Sequence, residues 1–324
     1  MTILNSKDLY FAEENHSLLV EENVPRRRSF FDVMSWAIQL RLTDTATGLK
    51  GKVVFLLRTL LDPVNSHEWY RYVSSNHLLK TASSDPGLLD SIHRPFFDRR
   101  MRSRDRLSLL TNHFNLAETI LGRGNCRSVL SGQKLELARI TGKNNDVFQL
   151  RLFRGTSYKR EGGLSLGLFI DDTLLQCVTF SFDQQHQYLA IKVGGVQASN
   201  CGARELIRES TKELHGIQPR LLLVEALRYL AQELQSTTIE CIAQKNHIYQ
   251  AWRYRFTKNI KAEYDQLWTA AGGMKRACGN YSLPITTLEK PISSRPSNKR
   301  SEYRARSVIF ETMREQIAQR LAIH

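Results

Sequence analysis

The order of apolar and polar positions divides the chain into a helical first part and a strand-rich second part. Between residues 51 and about 122, apolar residues recur at helical spacing, and one apolar helix ends at Asp62 and Pro63. From about Leu130 the period changes to two. Five segments then follow as predicted strands with short polar connectors, at residues 134–140, 147–153, 164–170, 174–182 and 188–197. This pattern predicts an antiparallel meander.

The stretch from residue 188 to residue 234 organises the second part. It begins as a buried strand that we expect to break at Gly194 and Gly195. One helix should begin at Ala203, and a second, buried helix at Pro219. A further strand at residues 237–243 should join the sheet from a different direction, because helices precede it.

The two ends of the chain differ from its centre. Residues 1–24 are polar and acidic, which predicts a loosely ordered arm. An amphipathic segment follows, for which a helix docked on the protein is favoured over a peripheral membrane contact. Its predicted apolar face is formed by Phe30, Phe31, Met34, Ile38 and Leu42. After Pro284, a linker leads to a basic C-terminal helix, which we expect to pack back on the domain.

These patterns predict an α+β fold with a mixed, largely antiparallel sheet flanked by helices, behind a helical N-terminal region. We divide the chain into an arm with an amphipathic segment (1–48), a helical region (49–125), an α+β domain (126–287) and a basic linker with a C-terminal helix (288–324).

The charge favours an anionic partner, since the formal net charge is +14. RNA, an anionic membrane surface and a phosphorylated ligand all fit this charge. The best candidate for a polyphosphate or nucleic-acid contact is a basic cluster, although a solvated basic face is the favoured explanation of it. Its members are Arg99, Arg100, Arg102, Arg104 and Arg106.

The five cysteines are widely spaced and odd in number, so the sequence indicates neither a disulfide framework nor a metal site. No run of about 18 apolar residues could span a bilayer, and the N-terminus lacks an export pattern. We therefore expect a cytoplasmic protein, with peripheral association at the inner membrane as the alternative.

The order of elements resembles the acyl-CoA N-acyltransferase (GNAT-like) fold. The resemblance implies that Gly194 and Gly195 splay two central strands, and that residues 197–203 hold the phosphates of an acyl-CoA. It also implies that Tyr249 protonates the leaving thiolate. Besides Tyr249, Glu205 is a catalytic candidate; a glycine pair also fits a bulge or a tight turn. The candidate cofactor-binding residues are Gly194, Gly195, Gln197, Gly202, Ala203 and Asn246.

Whole stretches also resemble the VirK/YbjX family of bacterial virulence-associated proteins, a domain of unknown function. The carrying residues include Ala203, Arg204, Glu205, His215, Gly216, Asn246, His247, Tyr249, Tyr264, Asp265, Trp268, Lys299 and Arg300. The resemblance implies a cytoplasmic factor that supports production or surface localisation of an outer-membrane virulence protein, and resistance to antimicrobial peptides. It implies no established reaction. A non-catalytic accessory factor and an acyl-CoA-dependent acyltransferase therefore both stay open.

Overall fold

The computed structural model describes residues 29–185, 187–198, 203–252, 254, 263–287 and 291–322. Within these ranges no helix combines the length and the apolarity that crossing a bilayer requires. The helices are α1 (Phe30–Thr43), α2 (Leu49–Leu61), α3 (Pro63–Ser74), α4 (Leu78–Ser84), α5 (Ser103–Leu130), α6 (Ala203–Glu213), α7 (Pro219–Glu233), α8 (Tyr264–Ala270) and α9 (Arg300–Leu321).

The described strands form one mixed sheet in the order β1-β2-β3-β4-β5-β6-β8-β7. β1 to β5 are an antiparallel meander, as predicted, and β6 is parallel to β5. The short strand β7 was not predicted. The strands are β1 (Leu135–Thr141), β2 (Val147–Phe153), β3 (Leu164–Ile170), β4 (Thr173–Gln185), β5 (Tyr188–Ala198), β6 (Thr238–Cys241), β7 (Met274–Lys275) and β8 (Tyr281–Leu283).

The predicted apolar face of α1 is confirmed only in part, since Met34 and Ile38 pack half-buried against the core, whereas Phe30, Phe31 and Leu42 are exposed. The helix begins where the Ser29 side chain caps it, but its buried face is formed by Val33, Ala37 and Arg41. Phe31 is 80% exposed. Arg41 forms an ion pair in the interior, in which its Nη2 lies 2.7 Å from Asp90 Oδ2. This ion pair places the side of the helix that carries Arg41 against the body of the protein.

Helices on the sheet hold the layers together. α5 packs against β4, where His113 Nδ1 accepts a hydrogen bond of 3.1 Å from the Phe182 backbone N–H. α7 packs on β3 and β4, and α9 packs on β1 and α7. The buried side chains of α9 are Ile309, Met313 and Ile317. The C-terminal helix therefore packs back on the domain, as predicted.

The fifth strand does not end at the expected break at Gly194 and Gly195, and the alternative of a bulge at this glycine pair is confirmed. β5 continues to Ala198, because β4 stays paired with it along its whole length. Thr179 pairs with Gly195 and Phe180 pairs with Val193, so that Gly194 forms a bulge. The pairing of β5 with β6 ends at Val193. The two parallel strands therefore separate beyond this residue.

Candidate functional site

A buried carboxyl group lies against β5 where β5 leaves β6. Glu161 belongs to the connector between β2 and β3 and is fully buried. A Cβ atom at Gly194 would lie 1.7 Å from the Glu161 carbonyl oxygen, and one at Gly195 would lie 2.1 Å from Glu161 Oε2. The glycine pair is therefore what lets this connector contact the strand.

Four polar side chains surround this carboxyl group. Gln197 Nε2 donates a hydrogen bond of 2.9 Å to Glu161 Oε1 and lies 3.0 Å from the Tyr264 hydroxyl. His247 Nε2 lies 3.7 Å from Glu161 Oε1, and Tyr249 lies close enough to the carboxyl group to lower its pKa. Glu161 Oε2 is buried and has no hydrogen-bond partner among the described residues. We call these five residues the Glu161 cluster.

The cluster is close to neutral at pH 7. Burial raises the pKa of Glu161 to about 8, and the hydrogen bond from Gln197 and the nearby Tyr249 offset only part of this rise. Burial also lowers the pKa of His247 to about 4, so that its ring is uncharged. Since His247 Nδ1 accepts from the Tyr249 backbone N–H at 3.2 Å, its proton resides on Nε2. The carboxyl group is therefore mostly protonated and able to give up its proton near neutral pH.

Tyr264 fills the gap between the separating strands. Its hydroxyl lies 3.4 Å from both the backbone nitrogen and the backbone oxygen of Val196, on the edge of β5 that β6 no longer covers. Its ring stacks on His247, with ring centroids 5.1 Å apart. Side chains thus substitute for the missing strand in this part of the sheet.

An open pocket of about 610 Å³ is lined in part by sequence neighbours of the cluster. Two of its lining residues are cationic, and Trp252 is 82% exposed. A cation and an exposed aromatic ring suit an anionic ligand with a planar group. The lining residues are Arg99, Gln244, Lys245, Gln250, Trp252 and Asp265.

Four of the predicted site residues lie together. Gly194 and Gly195 contact Glu161, Gln197 hydrogen-bonds to its carboxyl group, and Tyr249 lies close to that group. These contacts unite residues that are up to 55 positions apart in the sequence.

The other predicted site residues lie elsewhere. Asn246 is buried, and its Nδ2 donates to Asn280 Oδ1 at 2.8 Å in a separate polar network. Glu205 is exposed on α6, where Arg208 Nε lies 3.8 Å from its carboxylate. Gly202 lies outside the described residues, and Ala203 is the first residue of α6. The roles assigned to these residues stay predictions.

Sequence reasoning missed Glu161 as a site residue and assigned no role to His247 or Tyr264. A signal was present, because Gly162 and Gly163 follow Glu161 directly. A Cβ atom at Gly162 would lie 2.5 Å from the Phe180 carbonyl oxygen. Two glycine pairs in neighbouring segments indicate two backbones in close contact.

The basic cluster is divided between the interior and the surface. Arg100 forms an ion pair with Asp98, with a distance of 2.6 Å between Nη2 and Oδ2. Arg106 Nε donates to the Ile92 carbonyl oxygen at 2.9 Å. Arg102 and Arg104 are exposed. In the described part of the chain, no group of three His, Cys, Asp or Glu side chains could hold a metal ion.

Comparison with known proteins places the chain in a family. The "Protein of unknown function (DUF535)" family matches residues 45–319. The "Uncharacterized protein YbjX" of Escherichia coli (strain K12) is 30% identical over 268 residues, which cover 82% of this chain and 81% of that protein. An "Uncharacterized protein" of Haemophilus influenzae is 28% identical over 232 residues, which cover 71% of this chain and 76% of that protein. No solved structure matches the chain. The chain therefore belongs to the DUF535 family, which includes YbjX.

Proposed function

We propose that this protein is an acyl-CoA-dependent acyltransferase that acts on an envelope component or a protein. The observation that carries the proposal is the fully buried Glu161 carboxyl group at the separation of β5 and β6, with the partly exposed Tyr249 among the side chains that influence its pKa. Parallel strands that separate next to a bulge are a feature of the acyl-CoA N-acyltransferase fold, which the sequence resembles.

The cluster is suited to moving one proton during acyl transfer. The acceptor nucleophile attacks the thioester carbonyl carbon, the new acyl bond forms, and the carbon–sulfur bond breaks. Tyr249, which is partly exposed, gives its hydroxyl proton to the leaving thiolate and takes the proton of Glu161. Glu161 regains the proton that the acceptor loses, so that no proton is gained or lost by the enzyme. A carboxyl pKa near the working pH favours both transfers.

The open pocket of about 610 Å³ is the site we assign to the acyl donor. Arg99 and Lys245 would bind its phosphates, and Trp252 would contact its adenine ring. Tyr264 occupies the backbone edge at Val196, so the donor would lie outside the gap between the strands. This differs from the resemblance, which implies that residues 197–203 hold the phosphates.

Thermal unfolding with acetyl-CoA and palmitoyl-CoA tests the proposal. A donor at about 100 times its dissociation constant should stabilise the wild-type protein by roughly 2.7 kcal/mol. Lys245→Glu should abolish this increase in the free energy of unfolding, because it places a negative charge beside the negatively charged phosphates. Lys80→Glu, an exposed lysine on α4, is the matched control and should leave it intact.

Donor binding alone does not establish catalysis, so a second measurement is needed. Tyr249→Phe should still bind the donor but lose acyl transfer to a nucleophile such as hydroxylamine, because it lacks the acidic proton. An unchanged unfolding temperature with every donor would refute the enzyme proposal.

The charge supports a second proposal, a non-catalytic accessory factor. In it, the exposed arginines Arg102 and Arg104 contact RNA, and the protein supports an outer-membrane virulence protein after transcription. RNA binding that weakens steeply with salt, and that Arg102→Glu with Arg104→Glu removes, would favour this proposal. Binding that neither salt nor these substitutions change would count against it.

A further inference from the structure

The N-terminal helices carry most of the large apolar side chains that the described residues expose. Nine of the fourteen lie between residues 30 and 64. Six of them form what we call the apolar stripe, namely Leu49, Val53, Leu57, Leu60, Leu61 and Val64. Single exposed apolar side chains are ordinary, but a group of this size in neighbouring helices is typical of an interaction surface.

The stripe lies on the outer side of α2. Leu49, Val53, Leu57 and Leu60 recur every three or four residues, which places them on one face of the helix. Phe55, whose side chain is buried, lies on the opposite face. Leu60 is 73% exposed and Leu61 is 83% exposed, so the body of the protein does not cover the end of the stripe.

The beginning of α1 extends this surface. The Phe30 ring lies 4.5 Å from the ring of His67, which is one turn after Val64 on α3. Phe31, next to it, is 80% exposed. The stripe and the two phenylalanines thus belong to the same side of the molecule.

The charges on α2 are all positive. Lys50 is exposed on the stripe itself, and the helix contains no Asp or Glu. Lys52 and Arg58 flank the buried face of α2, where Lys52 Nζ donates to the Leu42 carbonyl oxygen. A symmetric pair of copies joined through this face would bring Lys50 of each copy close together between two proteins of net charge +14, which opposes self-association. A surface of phosphate groups above an apolar layer has the complementary chemistry.

We propose that α2 and the start of α1 dock on an anionic lipid bilayer. The leucines of the stripe enter the boundary between headgroups and acyl chains, and the exposed Lys50 contacts lipid phosphates, with the net charge of +14 attracting the protein to the anionic surface. The protein remains at the surface. This inference does not depend on the acyltransferase proposal.

Sedimentation of the full chain with vesicles tests it. The wild-type protein should bind phosphatidylcholine vesicles that contain phosphatidylglycerol, and bind pure phosphatidylcholine far more weakly. Leu60→Glu with Leu61→Glu should weaken binding about tenfold or more, because a buried leucine contributes at least one factor of ten. Val308→Glu is the matched control, since Val308 is 60% exposed on α9 and should bind like the wild type. Near-UV circular dichroism verifies that each variant is folded.

Three results would overturn the proposal. The first is a wild-type protein that stays in solution with both vesicle types, which would mean that another part of the chain covers the stripe. The second is equal vesicle binding by the wild type and the double variant. The third is a dimer in light scattering that the double substitution dissociates, which would assign the stripe to a second copy.

Discussion

The protonation of Glu161 links the candidate site to stability. Its folded-state pKa of about 8 lies above the ordinary value of 4.5. A carboxyl group with a raised pKa binds its proton more tightly in the folded state. Its contribution to stability is therefore complete below about pH 4.5 and is lost as the pH rises toward 8.

We expect Glu161→Gln to remove this loss. Relative to the wild type, the free energy of unfolding of the variant should rise between pH 4.5 and 8, with a slope of at most about 1.4 kcal/mol per pH unit. Urea unfolding at several pH values measures it. Glu205→Gln is the control, because this side chain is 64% exposed, and its curve should run parallel to that of the wild type. Parallel curves for Glu161→Gln would contradict the raised pKa.

The two glycines of β5 should respond differently to substitution. Gly194→Ala and Gly195→Ala should each lower the free energy of unfolding by roughly 1–3 kcal/mol, because the added Cβ atom overlaps Glu161. The overlap at Gly194 is with the backbone of Glu161, whereas the overlap at Gly195 is with its side chain.

A second substitution distinguishes the two overlaps. Glu161→Ala should reduce the loss of stability caused by Gly195→Ala but not the loss caused by Gly194→Ala. A double-mutant cycle measured by urea unfolding gives the coupling energy. Gly124→Ala in α5, where nothing lies within 4 Å of the new Cβ atom, should be neutral or slightly stabilising. Equal coupling at both glycines would show that the connector moves as a unit.

Only the part of the site that lies on β5 and after β6 could be predicted from the sequence. The glycine pair, Gln197 and Tyr249 could be identified from the sequence. Glycines inside a strand, and polar residues that follow a strand, are visible in the local pattern. Apart from the two glycines that follow it, nothing in the sequence marks Glu161, since its partners are 33 or more positions away and no periodicity specifies how a connector folds. Its role depends on burial, which only tertiary structure determines.

At the scale of elements, the positions of the regular helices and strands were predicted better than the buried faces of helices and the ends of strands. The meander has strict alternation and short turns, and its five strands lie close to the predicted positions. In α1 the apolar pattern predicted the helix and part of its packed side, namely Met34 and Ile38, but it did not predict the buried Arg41, which pairs with Asp90 in the interior. In β5 the glycines predicted a break, but hydrogen bonds to β4 continue the strand.

The C-terminal helix gives an element-scale prediction. Met313 of α9 is fully buried, so Met313→Ala should lower the free energy of unfolding by about 2–5 kcal/mol. Val308→Ala on the exposed side of the same helix should change it by about 0.5 kcal/mol or less. Chemical denaturation measures both. A small effect of Met313→Ala would mean that α9 detaches without disturbing the sheet.

At the scale of the whole molecule, one apolar core joins the helical region to the sheet. It extends from Val33 of α1 to Ile317 of α9. α5 (Ser103–Leu130) packs on β4; it is interrupted by a kink at Gly122, where φ is +72°, and its last turns continue past the predicted boundary at residue 125. Asn112 Nδ2 also donates to Asp183 Oδ1 at 2.9 Å across this contact.

We therefore expect residues 49–125 and 126–287 to unfold together, although the sequence suggested separate units. Pulsed hydrogen exchange with mass spectrometry, at increasing urea concentrations, should give the same midpoint for both segments. Phe114→Ala should lower both midpoints equally, at a cost of about 3–5 kcal/mol, because Phe114 is buried beside Trp69. If the helical segment exchanged at a lower urea concentration, the shared core would contribute little, and the predicted boundary would mark an independent domain.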